Sequence, residues 1–255
     1  MRSPPPLKHR PGHRRERASG GDANWIWGTH AALAALANPE RDVERIVATR
    51  SGAERLPQGL KVKVDLIEPD ALDRLLPPGA VHQGLAVRAS PLEAVAIEDA
   101  CAPADGRPVL VLDSITDPQN VGALFRSAAA FGVRAIVMQD RKAPPLTGAL
   151  AKAAAGAIER VPEVRVVNIA RAVEQLAEMG YRTIGLEGEG PETIERAAAG
   201  AAQIALVLGA EGRGLRDLVA ERCDHHARIP IAPEMESLNV SVAGAVALYA
   251  ISARL

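Results

Sequence analysis

Three short stretches of this sequence set polar side chains where they could do chemistry. The first is Asp117-Pro118-Gln119-Asn120-Val121-Gly122-Ala123-Leu124-Phe125-Arg126-Ser127-Ala128. The second is Leu208-Gly209-Ala210-Glu211-Gly212-Arg213-Gly214-Leu215, and the third runs from Ile229-Pro230-Ile231 to Ser237-Leu238-Asn239-Val240. In each, a loop rich in Gly or Pro follows an apolar run and precedes a helical pattern. Such loops present many free backbone N–H groups, which suits a small polar ligand with an adenine or carboxylate group. Every one of these residues also has a plainer reading. Asn120 and Ser237 stand where helix N-caps would, Glu211 fits an exposed turn, and Asn239 fits a polar first turn. Arg126 fits a solvated helix face, but its neighbours Gly122, Ala123, Ala129 and Ala130 are all small. That clear setting frees the guanidinium to reach an anion or another chain. Three such loops in one chain are harder to assign to coincidence than any one of them.

These loops need elements to hold them. Apolar runs at 109–112, 135–138, 164–167, 183–186, 204–208 and 229–231 read as strands without alternation. Helical patterns at 120–131, 147–157, 169–179 and after Ser237 lie between or after them, the last with Leu238, Val242, Ala245, Val246 and Tyr249 on one face. Alternating elements with unalternating strands predict a parallel sheet covered on both faces, with ligands beyond the carboxyl ends of its strands. Upstream, a helix at 29–37, strands at 43–48, 62–67 and 84–87 and a short helix at 70–75 predict a small α/β unit over 22–90. Pro91, Pro103 and Pro108 mark 91–107 as a linker with a helical turn or two, leaving 108–255 as the larger domain. Residues 1–21 carry Arg2, Lys8, Arg10, Arg14, Arg15 and Arg17 against Glu16, with no apolar periodicity. That composition predicts a disordered basic tail, either solvated or engaging RNA phosphates.

Composition narrows the function classes. The formal net charge of −1 gives no whole-molecule attraction to nucleic acid, though it permits a local patch. Aromatic residues make up 2% of the chain and are scattered, which argues against a base-stacking platform. The 22–90 unit holds more acids than bases, so charge does not mark it as an RNA binder. Cys101 and Cys223 lack a partner motif, which fits a reducing, cytoplasmic setting. No apolar run approaches the roughly 18 residues of a membrane span, and no secretory signal is visible. The glycines of Gly209-Ala210-Glu211-Gly212-Arg213-Gly214 do not have dinucleotide spacing, and no acid ends the 229–231 run to hold a ribose, which disfavours a nicotinamide dehydrogenase. No Walker loop occurs, and Cys223, His225 and His226 fit no closed zinc set, so no metal is expected.

Taken together, the three stretches resemble the three motifs of the SpoU (TrmH-like) RNA ribose 2′-O-methyltransferases of the SPOUT superfamily. The unit before them, with Gly28, His30 and Ala31 near its start and His82-Gln83-Gly84 near its end, is similar to the ribosomal-protein-like substrate domain of rRNA-directed members. The resemblance implies a trefoil-knotted α/β fold behind a small N-terminal α/β domain. It also implies a homodimer with S-adenosylmethionine bound in the knot near the interface. By motif position, Gly209, Ile229 and Leu238 would hold the cofactor through backbone groups, and Leu186, Leu208 and Ile231 would line its adenine. Arg126 matches the catalytic arginine, and Asn120, Glu211, Ser237 and Asn239 match the polar site residues. Ile231 stands where many members have Met.

The implied reaction is in-line methyl transfer to a ribose hydroxyl, for which no metal is needed. A guanidinium has no acceptor and a pKa above about 12, so Arg126 is better suited to clamp a phosphate and steady an alkoxide than to take a proton. Glu211 is left as either base or positioner. The leading expectation is a guanosine 2′-O-methyltransferase of 23S rRNA. A tRNA ribose methyltransferase is the alternative within the class, and a non-catalytic RNA-binding or ribosome-assembly factor the alternative outside it.

Overall fold

The computed structural model describes residues 24–103, 105–141, 143–146 and 148–252; the basic stretch 1–21 lies outside them. The chain begins with β1 (Trp25–Trp27), α1 (Thr29–Ala37), β2 (Val43–Ala48), α2 (Arg50–Ala53), β3 (Val64–Leu66), α3 (Pro69–Leu75) and β4 (Leu85–Ala89). These strands form a mixed sheet in the order β1-β4-β2-β3. A short helix, α4 (Ile97–Ala100), interrupts the connection to the larger layer.

That layer contains β5 (Val109–Asp113), α5 (Pro118–Ala130), β6 (Ile136–Gln139), α6 (Gly148–Ala154), β7 (Glu163–Val166), α7 (Ile169–Glu178) and β8 (Arg182–Leu186). It continues with β9 (Glu192–Thr193), α8 (Ile194–Ala197), β10 (Ile204–Gly209), α9 (Asp217–Ala220), β11 (His225–Arg228) and α10 (Val240–Ser252). Its seven strands run in the order β7-β6-β5-β10-β8-β11-β9, and every pairing is parallel. Burial on both faces explains the unbroken apolar runs: all five residues of β5 are buried. Alternate residues feed two separate cores. Leu110, Leu112, Leu206 and Leu208 face α5, α6 and α10, while Val109, Val111, Ala205 and Val207 face α7 and its neighbours. A fully buried Phe125 on α5 adds about 1.5–3 kcal/mol to the first of these cores.

β10 is inserted between β5 and β8, two strands that precede it in the chain. All three end on the same side, so the loops after them share one rim. The helices α5 and α10 lie side by side and run the same way. Asn239 Nδ2 donates to Asn120 Oδ1 at 3.0 Å near their starts, and Ser252 Oγ donates to the Phe131 carbonyl at 3.3 Å near their ends. Close approach there depends on Gly244, where a Cβ would come within 2.5 Å of Leu124 Cδ2 and 2.8 Å of Leu208 Cδ1.

Some local expectations are corrected. The strand expected at 229–231 is instead β11, at His225–Arg228. Pro230 has no N–H to give a ladder, and pairing stops where β11 meets the two-residue β9. Asn120 does not cap α5: Asp117 does, accepting from the N–H groups of Gln119 and Asn120, with Pro118 in the first turn. Among the described residues Ser237 caps nothing; Asn239 Oδ1 accepts from Ser241 N and Val242 N ahead of α10. The expected apolar face of that helix is also turned round. Val240, Gly244, Ala247, Leu248 and Ile251 are buried, whereas Val242, Val246 and Tyr249 are exposed.

Candidate active site

The rim above β8, β10 and β11 encloses a cleft of about 870 Å³. Its first wall is the loop after β10. Gly209 has to be glycine, because a Cβ there would sit 2.2 Å from the Gly214 carbonyl carbon and 2.3 Å from Leu215 N. The loop folds back so tightly that Gly214 N donates to the Ala210 carbonyl at 2.8 Å, and Gly214 takes a φ of 72°. A fully buried carboxylate, Asp113 at the end of β5, fixes the far side of this loop. It accepts from Arg216 N at 3.0 Å and Arg216 Nε at 2.8 Å. Removing Arg216 would strand the Asp113 charge in the core, whereas Arg216 itself is about one-third exposed, so the pair holds the loop through the buried carboxylate.

Glu211 stands at the tip of that loop and gathers the other two motifs around one oxygen. Its Oε1 accepts from Asn120 Nδ2 at 3.1 Å, Asn239 Nδ2 at 2.5 Å and Val240 N at 3.2 Å. The last donor is the opening amide of α10, so the carboxylate also lies at the positive end of a 13-residue helix. Among the described residues, Oε2 has no donor on it. Each amide side chain is fixed in turn: Asn239 Oδ1 caps α10 and accepts from Ser241 Oγ at 2.6 Å.

The residues expected around the cofactor converge. Leu186, Leu208, Gly209, Ile229, Ile231 and Leu238 all line this cleft, together with Glu211, Ser237 and Asn239. Ser237 is exposed on the loop that closes the cleft. Asn120 joins through its hydrogen bonds to Glu211 and Asn239. Arg126 does not: it is exposed on α5 and, among the described residues, has no hydrogen bond or ion pair. It lies six residues beyond Asn120, about 9 Å along the helix, and within a single chain the cleft does without it. Residues not anticipated as part of the site also line it: Glu187, Glu189 and Glu236, against one guanidinium, Arg213. With Glu211, four carboxylates thus border the cleft, which favours a ligand carrying positive charge. Glu187 was legible in principle, because it directly follows the carboxyl end of β8.

His225 and His226, weighed above as metal ligands, are engaged separately. His225 Nδ1 lies 2.7 Å from Glu192 Oε1, and His226 Nδ1 lies 2.9 Å from Glu187 Oε2. The two cysteines are not poised for reaction, since burial pushes both thiols up to about 12.

Comparison with known proteins identifies the family. A model of the SpoU rRNA methylase family matches residues 107–249, and one for RNA 2′-O ribose methyltransferase substrate binding matches residues 25–95. The chain belongs to the SpoU rRNA methylase family. It is 40% identical over 234 residues to the 23S rRNA (guanosine-2′-O-)-methyltransferase RlmB of Vibrio cholerae, covering 88% of this chain and 94% of that one. Against the protein of the same name from Escherichia coli K12 the identity is 38% over 234 residues, covering 88% and 96%. The fold is shared with the AdoMet-bound rRNA methyltransferase of Sinorhizobium meliloti, with a TM-score of 0.77 at 19% identity over 91% of this chain and 88% of that one. In this SpoU protein, then, the three motifs meet at one rim, and Arg126 alone stands apart from it.

Proposed function

We propose that this SpoU protein transfers a methyl group from S-adenosylmethionine to the ribose 2′-hydroxyl of a guanosine in 23S rRNA, in the cytoplasm. The observation that carries the reading is the network on Glu211, in which the three motif loops meet at the edge of an acid-bordered cleft. Near-full-length identity of about 40% to proteins named for that reaction supports the choice of substrate. The 25–95 match supports dividing the chain into a substrate-binding unit over 22–90, a linker over 91–107 and a methyltransferase domain from 108. The insertion of β10 between two earlier strands, with the last loop closing over the same rim, supports a knotted connection.

In this reading Leu186, Leu208 and Ile231 hold the adenine, while backbone groups of Gly209, Ile229 and Leu238 fix the rest of the cofactor. Bound there, S-adenosylmethionine would supply a methyl group on a sulfonium, to be taken in line by the ribose oxygen. Glu211 Oε1 is taken up by three donors and serves as an anchor. Oε2 is the acceptor we assign to the hydroxyl proton. Asn120 and Asn239 keep that carboxylate in place, and Ser237 helps to seat the ribose. Arg126 clamps the target phosphate and steadies the developing alkoxide. For that it must come from a second subunit. The exposed apolar residues Val242, Val246 and Tyr249 of α10, beside the helix that carries Arg126, support a homodimer built on this face.

The test is methyl transfer from labelled S-adenosylmethionine to protein-free 23S rRNA and to total tRNA, followed by nucleoside analysis. Label recovered as 2′-O-methylguanosine from 23S rRNA is expected. Label confined to tRNA would make this a tRNA enzyme, and cofactor binding without transfer to either RNA would point to a non-catalytic factor.

A further inference from the structure

Glu187 and His226 form a pair that none of the three motifs includes. They lie on neighbouring parallel strands, with His226 directly opposite Gly185 in the β8–β11 register. Residues two apart on a strand share a face, so Gly185 and Glu187 point the same way. The space above Gly185 is crowded: a Cβ there would come within 2.8 Å of Leu215 Cδ1, 3.3 Å of Cys223 Sγ and 3.6 Å of His226 Nδ1. With a glycine at this point, the imidazole can lean across β8. It thereby reaches the carboxylate one step further on, at 2.9 Å.

Because a carboxylate only accepts, His226 Nδ1 carries the hydrogen and donates to Glu187 Oε2. Among the described residues Oε1 of Glu187 has no donor. Glu187 lines the cleft directly beside Leu186, at the carboxyl end of a strand next to β10. An acid at the end of a strand beside a nucleoside pocket is well placed to accept from ribose hydroxyls. The histidine fixes the carboxylate rotamer in advance, which lowers the cost of ordering it on binding.

We propose that Glu187, positioned by His226, accepts hydrogen bonds from the ribose hydroxyls of the bound adenosine and so makes the cleft selective for a ribonucleoside cofactor. This rests on the cofactor reading of the cleft given above. Glu187 contacts the ligand, whereas His226 acts through Glu187. Glu189, two residues on, also lines the cleft but is exposed and, among the described residues, has no partner to orient it.

The test is calorimetric titration of the full-length protein with S-adenosylhomocysteine and with its 2′,3′-dideoxy counterpart. The unmodified protein should prefer the diol by on the order of tenfold to a hundredfold, as expected for hydrogen bonds to a charged group. Glu187→Gln should weaken the diol ligand by at least about tenfold and leave the dideoxy ligand unchanged. His226→Leu should lose part of the same preference, and His226→Asn, which keeps a donor, should restore it. A merely structural role for His226 would weaken both ligands alike. The inference is overturned if Glu187→Gln retains the full preference, or if Glu189→Gln abolishes it instead. If the unmodified protein binds neither ligand, the cofactor reading itself fails and takes this inference with it. Binding of both ligands equally by the unmodified protein overturns the inference alone.

Discussion

Two parts of the helical layer over the face of the large sheet that carries Leu110 and Leu206 are finished differently. On one, α6 and the turn after it meet the small N-terminal sheet, and the seam closes within the chain. Ile26, Ala31 and Ala35 enter the same core as Leu150, Ala151 and Ala154. Arg41 and Glu159 form an ion pair whose side chains are 1% and 3% exposed, and Asn38 Nδ2 adds a third contact to Glu159 at 2.8 Å. Lys152 Nζ donates to Gln83 Oε1 at 2.7 Å, and burial holds its ammonium below the usual lysine range. On the other, α10 presents Val242, Val246 and Tyr249 to solvent beside α5, whose Arg126 is unpaired among the described residues. Asn38, Arg41 and Glu159, and Lys152 with Gln83, find their partners across the seam. The α5–α10 face has apolar area without cover and, among the described residues, a cation without an anion, as the proposed second subunit would require.

The sharpest way to break this contrast is at Arg126. Arg126→Ala should cut methyl transfer by roughly a thousandfold while leaving S-adenosylhomocysteine affinity unchanged by calorimetry. Mixing this variant with Glu211→Gln subunits should then recover activity, since one of the two sites in a mixed dimer has an intact set. No recovery on mixing would place Arg126 in its own chain's site.

The seam should fail through stability. Glu159→Ala leaves Arg41 buried without its partner and should cost about 3 kcal/mol in urea unfolding. A change below about 1 kcal/mol would mean that water reaches the pair and that the seam is looser than its burial indicates.

A smaller effect is expected at the open face. Tyr249→Glu should weaken self-association by about a hundredfold, close to 2.7 kcal/mol, as read by sedimentation at micromolar protein. It should leave the thermal unfolding temperature of the monomer nearly unchanged, because Tyr249 is 64% exposed. A large loss of monomer stability would instead make this face part of the fold.

The smallest effect concerns the thiols. With pKa values near 12, Cys101 and Cys223 should be roughly one part in ten thousand thiolate at pH 8, so iodoacetamide should modify the folded protein slowly and the urea-unfolded protein fast. Rapid labelling of Cys223 in the folded state would show that the region around His226 opens.

Much of this was open to reading in the chain itself. Continuous apolar runs such as 109–112 and 204–208 reported burial on both faces, and hence a parallel sheet. The polar loop residues reported the cleft, because Asn120, Glu211 and Asn239 had no apolar role to fill. Harder to read were the ends of elements. Asp117 outcompeted Asn120 as cap because Pro118 after it already fixes the first helical turn, and Asn239 outcompeted Ser237 because α10 begins only at Val240.

Residue type and spacing, then, determined which side chains could do the chemistry and that their loops would follow apolar strands. Only the tertiary structure decided which face of α10 is buried, because Val240 and Leu248 compete with Val242 and Val246 on nearly equal hydrophobic terms and packing against Leu124 and Leu208 breaks the tie. The same packing decided that Glu211 would anchor two helix starts, that His226 would reach Glu187 across a glycine, and that Arg126 would face outward. Those outcomes turn on distances between segments up to 119 residues apart, and local sequence has no physical means to set them.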